Sequence, residues 1–275
     1  STIKHYIGEM YLLRAFIYFG KLQALGDFPI LRTTLPDDQE ALTAASQRAP
    51  QNEVARFIMS DLDSAFDYMM DVSPDGAKNR LSKPCALLFK SRVALYEGTF
   101  LKNFKNTAFL PKGPGWPGEE KEYNKGYAFP SGSIDGEIDF FLTQAMVASK
   151  AVADVVPLVA NTMSDQTQTT YDAFASASMT NPYTAMFGSV DLKGFSEVLL
   201  WRKYDKGLNI GHNVVLYAGG GNSANGTTRG MVDGFLMKNG LPIYDPASGY
   251  AGDDSLQSVR KDRDGRLWLF LKEPG

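Results

Sequence analysis

Flat aromatic rings set among amides and charges are the residue types that hold sugars. A ring offers an apolar face to the C–H side of a sugar ring, and nearby Asn, Asp or Arg groups hydrogen-bond its hydroxyls. The stretch GPGWPGEEKEYNKGYAFPSGSIDGE, residues 113–137, has this make-up, with Trp116, Tyr123, Asn124, Tyr127 and Phe129 threaded among glycines, prolines and charges. It is longer than the roughly 12–15 residues above which a loop is usually functional or disordered. Two outcomes are open for it. The rings stay exposed as a platform, or Trp116 and Phe129 fold back over a helical core. A second candidate spans 204–229, with Tyr204, His212, Asn213, Tyr217, Asn222, Asn225 and Arg229. Its open alternative is a flexible glycine loop. Tyr183, after the tripeptide TNP, is a third.

Other chemistries find little support. Glu119, Glu120 and Glu122 are carboxylates in one loop. A glycosidase needs an acid pair held about 5–9.5 Å apart, and neighbouring glutamates on a polar loop read better as a solvated cluster. The run DRDGR at 262–266 imitates half of a calcium loop, but the twelve-residue pattern ending in glutamate is missing and two arginines intrude. The GGGN at 219–222 lacks the lysine of a phosphate loop. The histidines, His5 and His212, have no second ligand at metal spacing. Cys85 is a lone cysteine in the apolar run KPCALLF, so it reads as a small buried hydrophobe and no intrachain disulfide is possible. No catalytic residue, cofactor or metal is expected.

Composition sets the outer bounds. The chain has 275 residues, 44% hydrophobic and 21% charged, enough for a sizeable core. A net charge of −3 and the lack of a basic run disfavour nucleic acid, which needs clustered Lys and Arg. There is no apolar run of about 18 residues to span a membrane, and no signal peptide is visible.

The positioning elements follow from periodicity. Residues 3–25 are apolar nearly all round, so a helix buried between neighbours is expected, with Gly26 at its C-terminal end. Arg14 inside it calls for a carboxylate partner. Residues 29–50 read as loop. Val54, Phe57, Ile58, Leu62, Ala65, Phe66 and Met69 share one face of a second helix. A third starts after Ser82 and runs to about Phe100, with Ala86, Ala94 and Gly98 small enough to admit a close neighbour. A fourth, capped by Asp135, reaches about residue 155. The ring residues Tyr6, Phe16, Phe19, Phe57, Phe66 and Tyr96 are expected in the core. Beyond residue 156 come short helices and turns, including one at Asn239-Gly240. The fold class is mostly α: helical hairpins over 1–155 with an aromatic insertion at 105–135, then a loop-rich part over 156–275, in one integrated fold. Helices two and three together match a tetratricopeptide unit of about 34 residues.

Six segments in order resemble the SusD/RagB family. EMYLLRAFIYFGKLQALGDFPIL is similar to its LRAxxYF helix running into GxxPL. VARFIMSDLDSAFDYM and NRLSKPCALLFKSRVALYEGTF resemble its next two helices, and FSEVLLWRKYD its NSEIIF segment. MVDGFLMKNGLPI is similar to LVDxFxMxDGxPI through Val232, Asp233, Phe235, Met237, Asn239, Gly240 and Pro242. Arg263, Asp264, Arg266 and Leu267 match RDPRL, with Gly265 in place of proline. The resemblance implies a SusD-like fold of tetratricopeptide-like hairpins with a loop-rich ligand face. It implies a non-enzymatic, lipid-anchored glycan-binding protein on the extracellular face of a Bacteroidetes outer membrane. Its partner would be a TonB-dependent, SusC-like transporter in polysaccharide utilization and nutrient uptake. The matched segments suggest a chain truncated at both ends, without the anchor cysteine. A helical-repeat scaffold for protein–protein interaction is the alternative. Family ligand contacts vary, so none is carried over by motif.

Overall fold

The computed structural model describes residues 1–160, 182–214 and 226–271, apart from the side chains of 182–184, 268 and 269. The chain forms two compact units, Ser1–Leu158 with Ser196–Arg202, and Val159–Phe195 with Lys203–Gly275. The described residues are mostly helical, and strand pairing among them is limited to isolated bridges.

The first unit is built on α1 (Thr2–Leu25), α2 (Gln39–Ala45), α3 (Gln51–Tyr68), α4 (Lys83–Asn103) and α5 (Ile134–Ala153). Helix α1 packs on α3, α3 on α4, and α4 on α5. The core joins Leu12, Phe19 and Leu22 of α1 to Phe57, Ile58 and Leu62 of α3, with Val93 and Leu101 of α4 and Phe141 of α5. Gly98 explains the close approach of α5, because a Cβ there would lie 2.8 Å from a Leu142 side-chain carbon. Gly26 ends α1 at φ 66°, a left-handed conformation that favours glycine. The carboxylate of Asp61 accepts from Arg14 Nε and Nη2, both at 2.7 Å, which supplies the expected partner.

Five local expectations are corrected. Helix α1 is covered on one side only, and Ile3, Ile7, Met10 and Ile17 stay open on the other. Tyr6 and Phe16 lie toward that open side and are exposed rather than core. Helix α5 is capped by Ser133, whose Oγ accepts from Gly136 N–H, while Asp135 sits in the first turn. The 29–50 segment contains α2, a short helix with no buried residue, capped by Asp38. Cys85 is half-buried, with Sγ near Ser82 Oγ and the Leu199 carbonyl.

The second unit includes α6 (Pro182–Gly188), α7 (Arg229–Asp233), α8 (Leu256–Arg260) and α9 (Leu267–Phe270). Among the described residues its buried apolar cluster is Val232, Val259 and Leu267, flanked by Phe235 and Leu271. Arg263 supplies what apolar burial does not. Its buried guanidinium donates to the carbonyls of Val232 (2.6 Å), Phe235 (2.7 Å) and Val259 (3.2 Å), tying three turns together. An isolated bridge joins Met237 to Arg263, and Gly240 closes the expected turn at φ 82°. Asp264 pairs with Arg266 beside it. Among the described residues no helix is long and apolar enough to cross a membrane, and no group of three or more His, Cys, Asp or Glu could hold a metal.

Candidate functional site

The segment between α4 and α5 is nailed to the scaffold at two points. At the first, Trp116 Nε1–H donates to Asp27 Oδ2 at 2.7 Å, and Asp27 Oδ1 accepts from Gln51 N–H at 2.8 Å. The indole is only 3% exposed. Gly118 permits this, because a Cβ there would lie 2.2 Å from the indole ring. At the second, Tyr127 donates its hydroxyl to Asn52 Oδ1 at 2.7 Å, and its ring packs between Trp116 and Phe129 at 5.9 and 5.5 Å. Burial of Tyr127, with Glu53 and Glu137 nearby, holds its phenol protonated well above the usual range.

Behind Asn52 lies a buried polar cluster. Glu137 accepts from Arg56 Nε at 2.7 Å, Arg56 Nη2 at 2.9 Å, Asn52 Nδ2 at 2.9 Å and Ser131 N–H at 3.1 Å. Burial works to raise its carboxyl, but these donors outweigh it and hold the group below the usual carboxylate range. Glu97 is the opposite case. It is fully buried, takes one hydrogen bond from Gln51 Nε2 at 3.1 Å, and is pushed up to about 8 by burial. Trp116, Asp27, Gln51 and Glu97 thus form one hydrogen-bonded chain from the segment into the core.

What remains open is the lip of the segment. Tyr123 stands on a short 3₁₀ turn, Glu122–Asn124, and is 43% exposed. Asn124 is fixed by donating from Nδ2 to the Gly118 carbonyl at 3.1 Å. Two clefts adjoin here and share Tyr123, Asn124 and Arg48. The larger, about 480 Å³, also takes in Asp27, Phe100, Phe109, Trp116 and Lys121. The smaller, about 390 Å³, includes Pro50, Glu53, Lys125 and Tyr127. Phe109 is exposed and ends a series of ring contacts that runs from Tyr96 through Phe100 and Phe104. Two open rings therefore border the larger cleft, with amide, guanidinium and ammonium groups beside them. This arrangement suits stacking plus hydrogen bonding to hydroxyls. Glu119 and Glu120 are exposed, and Glu122 is paired with Lys125.

Trp116, Tyr123 and Tyr127 are thus brought together, but only Tyr123 presents an open face. Trp116 and Tyr127 depart from the open-platform expectation because each ring hydrogen-bonds inward to the scaffold. Tyr204, Asn213 and Arg229 belong to the second unit. Tyr204 is exposed and meets His212 edge-on at 4.6 Å, and Asn213 is exposed. Arg229 is held by Asp233 at 2.7 Å and Asp253 at 2.9 Å. The side chain of Tyr183, and Tyr217, Asn222 and Asn225 entirely, lie outside the described residues. Arg48, Phe109 and Lys121 went unremarked in the sequence. Phe109 sits in KNTAFLPKG beside Leu110, and nothing in the string tells which of the two is exposed.

The stacked helix hairpins share the fold of SusD-like structures. No protein-family model matches the chain. A SusD-like protein of Formosa agariphila is 34% identical over 94 residues, 33% of this chain and 17% of that protein. Two solved Bacteroides fragilis structures share the fold over 96% of this chain. One is a SusD-like protein (19% identity, TM-score 0.52), the other a SusD-like carbohydrate-binding protein (15% identity, TM-score 0.55). The chain spans 42% and 39% of their respective lengths.

Proposed function

We propose that this chain is part of a SusD/RagB-family protein that binds oligo- or polysaccharide without cleaving it. Binding is assigned to the cleft at Tyr123, with Phe109 as a second stacking face and Arg48, Lys121 and Asn124 as hydrogen-bonding partners. The observation that carries this is the exposed Tyr123 ring at the junction of two clefts whose walls are fixed by Trp116 and Tyr127. Pre-set walls spare a ligand the cost of ordering the site. The carbohydrate-binding description of one fold neighbour supports the ligand class. By the same reading the whole protein is lipid-anchored outside the outer membrane and hands glycan to a TonB-dependent, SusC-like transporter. The test is affinity electrophoresis through a panel of polysaccharides, followed by calorimetry on those that retard the protein. Retardation should be lost in Tyr123→Ala and weakened in Phe109→Ala. A protein that no polysaccharide retards would overturn the reading.

One observation favours a second reading, a scaffold for protein–protein contact. The open stripe Ile3, Ile7, Met10 and Ile17 on α1 is a large apolar surface for a helix at a protein boundary. A protein partner recovered by Ile7→Glu-sensitive pull-down, with no glycan effect, would establish it instead.

A further inference from the structure

The charges around the two clefts are unequal in what already holds them. Asp27 and Glu53 are the acids of the lining; Arg48, Lys121 and Lys125 are the cations. Both oxygens of Asp27 are taken, one by Trp116 and one by Gln51; burial raises its carboxyl, opposed by these hydrogen bonds and by the charge of Arg48. Glu53 is half-buried, and burial together with the charge of Glu137 raises its carboxyl too. On the positive side, Lys125 is paired with Glu122. Arg48 and Lys121 are exposed, and among the described residues neither has a carboxylate within 4.0 Å. Arg48 and the open Tyr123 ring line both clefts.

A guanidinium presents a planar fork that matches two oxygens of a carboxylate or sulfate, and an ammonium adds a point charge. Cations of one sign in a cleft also raise the local concentration of anions. A neutral sugar would use Arg48 and Lys121 only as hydroxyl donors. We propose that this cleft selects saccharides bearing an anionic substituent, a uronate carboxylate or a sulfate ester, which engages Arg48 and Lys121 while a sugar ring stacks on Tyr123. This rests on the reading of the cleft as a glycan site.

The test uses paired probes on the intact chain. Oligogalacturonate is compared with its carboxyl-reduced form, and a sulfated galactan oligosaccharide with its desulfated form. Each is titrated against wild type, the Arg48→Gln/Lys121→Gln double variant and Tyr123→Ala. At least one acidic probe should bind about tenfold or more tighter than its neutral counterpart. That advantage should shrink with added salt and vanish in the double variant. Which pair shows it separates carboxylate from sulfate. Equal binding of acidic and neutral forms, both lost in Tyr123→Ala, would overturn the charge selection and leave the cleft standing. An acidic advantage that survives in the double variant would likewise overturn it. No binding by any probe at millimolar concentration would overturn the cleft assignment and this inference together.

Discussion

Two stretches of this chain look alike as strings: 113–128 and 204–229 both mix tyrosines, asparagines and cations with glycine. Their folded outcomes differ. In the first, Trp116 and Tyr127 are sunk into hydrogen bonds with Asp27 and Asn52, and Tyr123 is left standing on fixed ground. In the second, the described polar groups and rings are held by local partners. Arg229 is clamped by Asp233 and Asp253, and the Tyr204 ring meets His212. The Tyr123 ring is left open while its neighbours are anchored elsewhere. Composition alone does not achieve this.

The largest effect should come from pulling out the first anchor. Trp116→Ala removes a buried indole and its hydrogen bond, and should cost about 3–5 kcal/mol of stability, read as a lower denaturant midpoint. Glycan affinity should fall with it, because the lip loses its floor. Full affinity in a folded Trp116→Ala protein would break the comparison, since Tyr123 would not need the anchor.

The next effect probes the same hydrogen-bonded chain at its buried end. The Glu97 carboxyl titrates near 8 when folded and near its ordinary value of 4.5 when unfolded. Below pH 4.5 both states hold the proton and nothing is lost. As pH climbs from about 4.5 to 8 the unfolded state ionises first, so stability drains away by a few kcal/mol and then levels off. Glu97→Gln should remove this loss. Its melting temperature should exceed that of wild type at pH 8–9 and match it near pH 4.5. Parallel curves at all pH values would contradict the assignment.

Tyr123→Ala is a smaller and more selective change. It should lower glycan affinity about tenfold or more while leaving the melting temperature nearly untouched, as expected of an exposed contact that carries binding. The smallest effect is expected in the second region. Arg229→Ala should leave affinity within twofold of wild type, and a large loss would place that region in the site.

The sequence makes one level of this organisation legible and hides another. Helices α1, α3, α4 and α5 are readable because burial on one face imposes a 3.6-residue period, as at Val54, Phe57, Ile58 and Leu62. Helix α2 is not, because it buries nothing and has no such period. The open side of α1 could not be read either, since its apolar residues run all round and only the packing partners decide which are covered. The length and ring content of 113–137 are legible in the sequence. The direction of each ring is not, because it is fixed by partners far along the chain: Asp27 for Trp116 and Asn52 for Tyr127. Arg48 and Lys121 carry no local pattern at all. They matter through where the fold brings them.

The most direct measurement is hydrogen–deuterium exchange with and without a polysaccharide that retards the protein on an affinity gel. Slowed exchange at 104–128 and around residues 47–53 on saturation is the predicted footprint. Protection confined to 203–250, with 104–128 unchanged, would contradict the assignment of the site to Tyr123 and its cleft.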